Sequence, residues 1–362
     1  MLAERVAIVG VGLVGGSLGM ALRRKGLCRQ VVGVDTSRKV LEQARAAGAI
    51  DAGGTDLARG LAGAELVVLA APVAACLELL PRVAPLLAPG AVLTDVASTK
   101  GAILERAAAV LRPGQDFVGG HPMSGSEKSG LAGADPFLFQ DAPYLLVPAP
   151  GCSPAGVAKV RSMAEGVGAR PRVLEAAQHD RAVAAVSHLP HLTAAALVNA
   201  VAAGEEDGLE LAGGGLRDTT RVAGGDPALW REILATNAAA AGEALEGMMR
   251  ELEAFRRDLA QARWHELEER LRRAQQMRRR IPRGRGIRPE LAELVVVLPD
   301  RPGAIGQVCS RLGEAGINIA DAELLRVEEG EGGTLRLGFA AEAEAAEAAR
   351  LLAAHGYRAL RR

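Results

Sequence analysis

Cysteine is scarce and scattered. Cys28, Cys76, Cys152 and Cys309 are spread over the chain without a C-x-x-C pair, which argues against a disulfide framework or a thiolate zinc site. Aromatic residues make up only 2% of the sequence, so the cores have to be built from alanine, leucine and valine. Charge of one sign is lacking too. The 43 Lys plus Arg balance 43 Asp plus Glu, and a neutral chain gives no electrostatic case for nucleic acid or membrane as its main partner. No apolar run reads as long enough to span a bilayer. The short apolar opening, broken at Gly10 and Gly12, reads as a strand and not a signal peptide. These absences point to a cytoplasmic protein.

What is present is ample apolar residue, 49% of 362 positions, and 44 glycines. That length suggests two or three domains. Residues 1–175 alternate short apolar runs with helical patterns. Strands are expected at Arg5–Gly10, Gln30–Asp35, Glu65–Ala71, Ala91–Asp95, Asp116–Gly119, Tyr144–Val147 and Arg170–Leu174, the first four separated by helices as in a parallel sheet. From 176 to 281 strand signals vanish and Ala, Leu and Glu dominate. This all-α stretch carries long charged helices that need a partner, so dimerisation is expected. Residues 282–289 read as an Arg/Pro/Gly linker. Residues 290–362 follow as strand, helix, two strands, helix and a short strand, a ferredoxin-like order, with the second strand expected over Asn318–Val327.

The first strand runs into Gly10-Val11-Gly12-Leu13-Val14-Gly15, a G-x-G-x-x-G at a strand-to-helix junction. Gly10 allows the tight turn, Gly12 lets the backbone approach a pyrophosphate, and Gly15 lets helix and strand pack closely. The free N–H groups of Leu13 and Val14 suit the anion. Ser17, one turn on, either adds a hydroxyl or packs. Asp35 lies 20 residues beyond Gly15, where a carboxylate holds the ribose 2′-hydroxyl and repels a 2′-phosphate. That favours NAD over NADP, tempered by Arg38.

Of six histidines, four fall between residues 121 and 191: His121, His179, His188 and His191. His121 sits in Gly119–Glu127, after an expected strand end and before Pro122. There it is either a base titrating near neutrality or a histidine satisfied by backbone. Ser98, in Asp95–Lys100, is expected to cap the next helix, and its position also puts its hydroxyl near a nicotinamide. His188 and His191, three apart around Pro190, share a helix face. No further ligand follows at the spacing a metal site needs, and no metal is expected. Arg217 and Arg221 could grip a carboxylate, or pair with Asp218 at the surface.

These segments, in this order and at these spacings, resemble the prephenate dehydrogenase family over nearly the whole chain. The resemblance implies a Rossmann-type NAD-binding domain, a helical dimerisation domain and a regulatory domain. It implies oxidative decarboxylation of prephenate to 4-hydroxyphenylpyruvate, in tyrosine biosynthesis, with hydride passing to NAD. His121 resembles the residue that takes the proton from the ring hydroxyl, and Ser98 the hydroxyl that holds the same oxygen. Arg221 resembles the arginine that binds a substrate carboxylate, with Glu127 and Asp218 as its acidic partners. His191 resembles a second substrate-side histidine. Ser124, His188, His179, Asp180 and Trp230 match positions that line or support the pocket. The last domain resembles an ACT domain through Leu298–Ile305 and Gly316–Ile319. Asp300, Pro302, Gly303, Ala304, Ile305 and Asn318 would then hold an amino-acid effector, with tyrosine as the logical one. Arogenate dehydrogenase on the same scaffold is the alternative enzyme. β-Hydroxyacid dehydrogenases and imine reductases share the two-domain plan without the histidine and arginine pattern. An NAD-binding regulator would need a basic face that the sequence does not offer.

Overall fold

A computed structural model describes residues 1–124, 130–204, 209–281, 291–299, 301–328 and 332–361. The chain divides into two compact units, Met1–Gly286 and Ile287–Arg362. The linker expected at 282–289 lies outside the described residues.

The first unit opens with β1 (Ala3–Val9), α1 (Leu13–Arg24), β2 (Cys28–Val34), α2 (Arg38–Ala46), β3 (Ala52–Gly54), α3 (Leu57–Leu61), β4 (Leu66–Leu69) and α4 (Val73–Val83). It continues with β5 (Val92–Asp95), α5 (Gly101–Val110), β6 (Asp116–Pro122), β7 (Pro143–Pro148), α6 (Pro154–Gly166) and β8 (Arg170–Val173). These strands form one sheet in the order β3-β2-β1-β4-β5-β6-β7-β8. All neighbours are parallel except β6 and β7. Strands β4 and β5 are buried along their whole length. A parallel sheet covered on both faces demands this, and it explains why they read as unbroken apolar runs. Two apolar clusters fill the space above and below the sheet, one around Ile8, Leu18 and Phe139, the other around Leu69, Leu80 and Phe117. The chain reverses its order around the sheet between β1 and β4, so the crevice beyond their carboxyl ends is the place where a doubly wound sheet takes its ligand.

The helical half of this unit comprises α7 (Ala176–Val183), α8 (Leu189–Ala202), α9 (Gly214–Thr220), α10 (Pro227–Thr236), α11 (Ala238–Ala260) and α12 (Trp264–Arg279). Between α7 and α8 lies a π-helical turn, Ala184–His188, in which the Leu189 amide donates to the Ala184 carbonyl five residues back. Its cause is Pro190. A proline has no N–H to continue the α pattern, and its ring would strike the carbonyl of Val186; a widened turn relieves the clash. The run Ala176–Ala202 is 27 residues long and contains an 18-residue window with a mean hydropathy of 1.2. This corrects the expectation that nothing in the chain has the length and composition of a bilayer span. The run also carries the buried His179, Asp180, His188 and His191, side chains that serve the site described below.

The second unit contains β9 (Ala292–Leu298), α13 (Ala304–Glu314), β10 (Asp321–Glu328), β11 (Gly332–Phe339), α14 (Glu342–Ala354) and β12 (Arg358–Arg361). Its antiparallel sheet has the order β10-β11-β9-β12, a ferredoxin-like arrangement whose core is Leu294, Val296, Val308, Leu337, Phe339 and Leu352. Asn318 does not lie on the second strand, as expected from sequence. It precedes β10, exposed in the loop that follows α13. The turn around the left-handed Gly316, φ 72°, delays strand pairing until Asp321.

Candidate active site

The glycine loop follows β1 directly. Gly10 has φ 93°, and a Cβ there would sit 2.4 Å from the Ala70 carbonyl oxygen at the end of β4. Only glycine satisfies both conditions. At Gly15 a Cβ would fall 2.0 Å from the Gly10 carbonyl oxygen, so α1 can approach the strand only without a side chain there. Gly12 differs: a Cβ would meet nothing within 4 Å. Its bare backbone faces open space at the start of α1, where no side chain caps the helix. The uncapped amides of Leu13 and Val14 at that end are suited to a diphosphate. Asp35, after β2, accepts from the amides of Val11 at 3.0 Å and Ser37 at 2.9 Å, which ties it to the loop. Ser17 has no free role. Its hydroxyl donates to the Leu13 carbonyl and accepts from the Asp135 amide.

His121 is not in a loop after the strand, as its sequence context suggested. Pairing with β7 carries β6 on to Pro122, so His121 faces Leu145 and is held by the sheet. Its Nδ1 lies 3.0 Å from Nε2 of His179, and Nδ1 of His179 lies 2.8 Å from the Asp180 carboxylate. The carboxylate fixes the tautomers along this chain. His179 donates from Nδ1 to Asp180, its Nε2 accepts from Nδ1–H of His121, and Nε2 of His121 is left with the lone pair. The pKa of His121 is held well below 6.5, first by burial and then by the charges of Lys100, His179 and His188. This replaces the expectation of titration near neutrality. Burial pushes the Asp180 carboxyl up, but bonds from His179 and the amides of Lys100 and Gly101 outweigh it, so it stays below its ordinary 3.8.

Ser98 lies just after β5 and does not cap α5. The residue at the cap is Lys100, with no side-chain bond of its own to the helix. The first amides of α5, on Lys100 and Gly101, donate instead to the two oxygens of Asp180 at 2.9 and 2.8 Å. The helix is thus capped by a carboxylate from α7. On the other side of the π turn, His188 is almost fully buried, with Nδ1 3.3 Å from the Asn237 amide nitrogen. Burial lowers its pKa, opposed by Asp180 and aided by His179. His191 stacks on Trp230 with centroids 3.6 Å apart and planes 11° from parallel. Its Nδ1 is buried without a partner. The Ser124 hydroxyl, just past the end of β6, is also buried and unpartnered.

Nine residues separate His179 from His188, about two and a half α-helical turns at 3.6 residues each, which would set them on opposite faces. The π turn rephases the helix between them. Arg221 opens a 3-10 turn (Arg221–Gly224) and Asp218 lies on α9 three residues earlier, both exposed. Glu127 lies outside the described residues. Asp300 does too, but the rest of the expected effector set is visible. Gly303 caps α13 with φ 84°, Pro302 and Ile305 are exposed, and Ala304 is buried. A cleft of about 230 Å³ opens there between Leu298, Arg301, Ile305 and Leu324. No cluster of three metal-ligating side chains occurs among the described residues.

Sequence reasoning missed five contributors. Asp95 and Lys100 are both fully buried and paired at 2.5 Å. Asn237 ties His188 to the Asp180 carbonyl, and the hydroxyls of Thr99 and Thr236 meet at 2.8 Å. A lysine five residues after an aspartate at a strand's end was the one readable signal, since neither belongs in an apolar core unless paired.

Residues 18–173 match the family model described as prephenate dehydrogenase, nucleotide-binding domain, and residues 175–273 match prephenate dehydrogenase, dimerization domain. Residues 292–349 match the ACT domain. The prephenate dehydrogenase of Bacillus subtilis (strain 168) is 32% identical over 341 residues, 93% of this chain and 92% of that protein. Among solved structures, arogenate dehydrogenase of Synechocystis superposes with a TM-score of 0.69 at 34% identity, over 77% of this chain and 100% of that one. The prephenate dehydrogenase of A. aeolicus, solved with hydroxyphenyl propionate and NAD+, gives 0.73 at 32%, over 77% and 98%. With three domain models matched in order along the chain, and a relative 32% identical over 93% of it, the chain belongs to the prephenate dehydrogenase family.

Proposed function

We propose that the chain oxidatively decarboxylates prephenate to 4-hydroxyphenylpyruvate with NAD. The observation that carries this reading is the Asp180–His179–His121 chain, which leaves one imidazole nitrogen with its lone pair at the end of β6. NAD fits the loop Gly10–Gly15, since Gly12 presents bare backbone to open space, and Asp35 stands where the adenosine ribose would lie. The bound nicotinamide would take a hydride from the ring carbinol carbon.

The chain's own residues do the rest. Ser98 holds the carbinol oxygen, and Nε2 of His121 takes its proton as the carbonyl forms. The positive charge that develops on His121 is offset through His179 by Asp180. Arg221 anchors a substrate carboxylate, and Ser124, His188 and His191 line the pocket, with the Trp230 ring as its apolar wall. Once the carbinol is oxidised, the bond to the ring carboxylate breaks, its electrons enter the ring, and carbon dioxide leaves as the ring becomes aromatic. Asp218, with Glu127, keeps Arg221 in place.

A second reading, arogenate as substrate, draws on His191. A buried imidazole nitrogen without a partner suits a substrate that brings a donor, as an ammonium does and a ketone does not. NAD reduction followed at 340 nm with each substrate separates the two. Faster turnover of prephenate is expected, a preference for arogenate would move the substrate assignment, and no reduction with either would sink the proposal. We also assign the helical half to homodimerisation and the cleft at Gly303–Ile305 to tyrosine as feedback effector.

A further inference from the structure

We infer that Asp95 and Lys100 are a buried positioning pair that holds Ser98 and His121 at a fixed spacing and closes a ring of bonds around the base. The inference rests on the reading of His121 as the base. Asp95 ends β5, and its carboxylate is fully buried. One oxygen accepts from the Gly120 amide at 3.1 Å, the residue before His121. The other accepts from the Ala97 amide at 2.9 Å, the residue before Ser98, and from the Lys100 ammonium. A single carboxylate therefore governs the backbone at both reacting side chains.

The bonds then run full circle. From Asp95 they pass through Gly120 to His121, to His179, to Asp180, back through the Lys100 amide, and along the lysine side chain to Asp95. Space around the ring is fully used. A Cβ on Gly119 would meet the Lys100 chain at 2.8 Å, and one on Gly120 would meet the Asp95 carbonyl oxygen at 2.4 Å. No residue in the ring can shift without disturbing the next.

Lys100 has a second effect. The groups whose charge reaches His121 are Lys100, His179 and His188, with Asp180 behind His179. Lys100 is the only permanent cation in that set. It opposes protonation of His121 and so keeps the lone pair available, while Asp95 keeps the ammonium tolerable in the core.

Lys100→Met in the full-length chain tests this. The acid limb of kcat/KM should move up by about one pH unit, because His121 then protonates more readily. In parallel kcat should fall about tenfold or more, with the dissociation constant for NAD unchanged by calorimetric titration. An unmoved limb with kcat within twofold of the parent overturns the inference. If the lone substitution leaves Asp95 too costly for folding, the neutral pair Asp95→Asn with Lys100→Met removes both charges. Its limb must still lie above the parent's, and a parental limb and kcat there overturn the inference too. His121→Asn is the control. If it keeps turnover, the base reading and this inference fall together. If it loses turnover while Lys100→Met keeps both the parental limb and kcat within twofold, only the positioning pair fails.

Discussion

At the scale of single residues, protonation decides whether the site works. With His121 as the proposed base, its neutral form is the active one, and its pKa is held well below 6.5. The inactive imidazolium therefore accumulates only at lower pH, and kcat/KM should stay on its plateau at pH 6.5 and fall below that. A limb centred at 6.5 or above, in a pH profile of the unmodified protein, would contradict the assignment. Asp180→Asn should lower kcat by about 10²–10⁴-fold, because an amide does not hold His179 in the tautomer that His121 needs. It should lower the melting temperature as well, because Asp180 also caps α5, a role worth about 1 kcal/mol. Ser98, His121 and the histidines were legible as polar residues at strand ends and on an apolar helix. Their partnerships were not. His179 reaches His121 across 58 positions, and nothing in either local sequence names the other. The capping role expected of Ser98 went to Asp180, a side chain from another element that a local capping rule does not see.

Elements set the phase of these side chains. Strand β6 outran its expected end at Gly119 because an antiparallel neighbour offered Leu145 and Tyr144 as partners for His121 and Pro122; strand propensity alone does not foresee such a partner. The three-residue strand β3, with two glycines, gave no alternating signal to read. In the helical half, Pro190 was visible between His188 and His191, but a widened turn that rephases them was not. Pro190→Ala restores the missing N–H and removes the clash with Val186, so the turn is free to tighten to α. The variant should keep its melting temperature or gain a little, while kcat drops by about 10²-fold from misplaced side chains. Unchanged turnover in a variant whose amide exchange shows the turn tightened to α would show that the π turn does not set the site.

The whole molecule adds assembly and control. On α11, Leu245, Met249, Leu252 and Leu259 are exposed, and their spacing of three, four and seven makes one apolar stripe. A stripe left bare in the helical half supports the homodimer proposed for it. Tyrosine should inhibit saturably, and Gly303→Val should abolish that inhibition with basal kcat/KM intact, since a β-branched residue resists the positive φ at Gly303. Retained inhibition in the variant, measured as initial rates against tyrosine concentration, would place the effector elsewhere. The order of strands and helices along both units was legible because apolar periodicity is local. The layout of the effector loop was less so, since a left-handed glycine moved Asn318 off the strand it was expected to occupy.

Trp230 lies flat against His191 at 3.6 Å, and the chain has one other indole, Trp264, which stands exposed on α12. The light that Trp230 emits should therefore respond to the protonation of the imidazole stacked on it. With Trp264 replaced by phenylalanine, the protein becomes a single-emitter reporter of its own pocket, readable without dye or label.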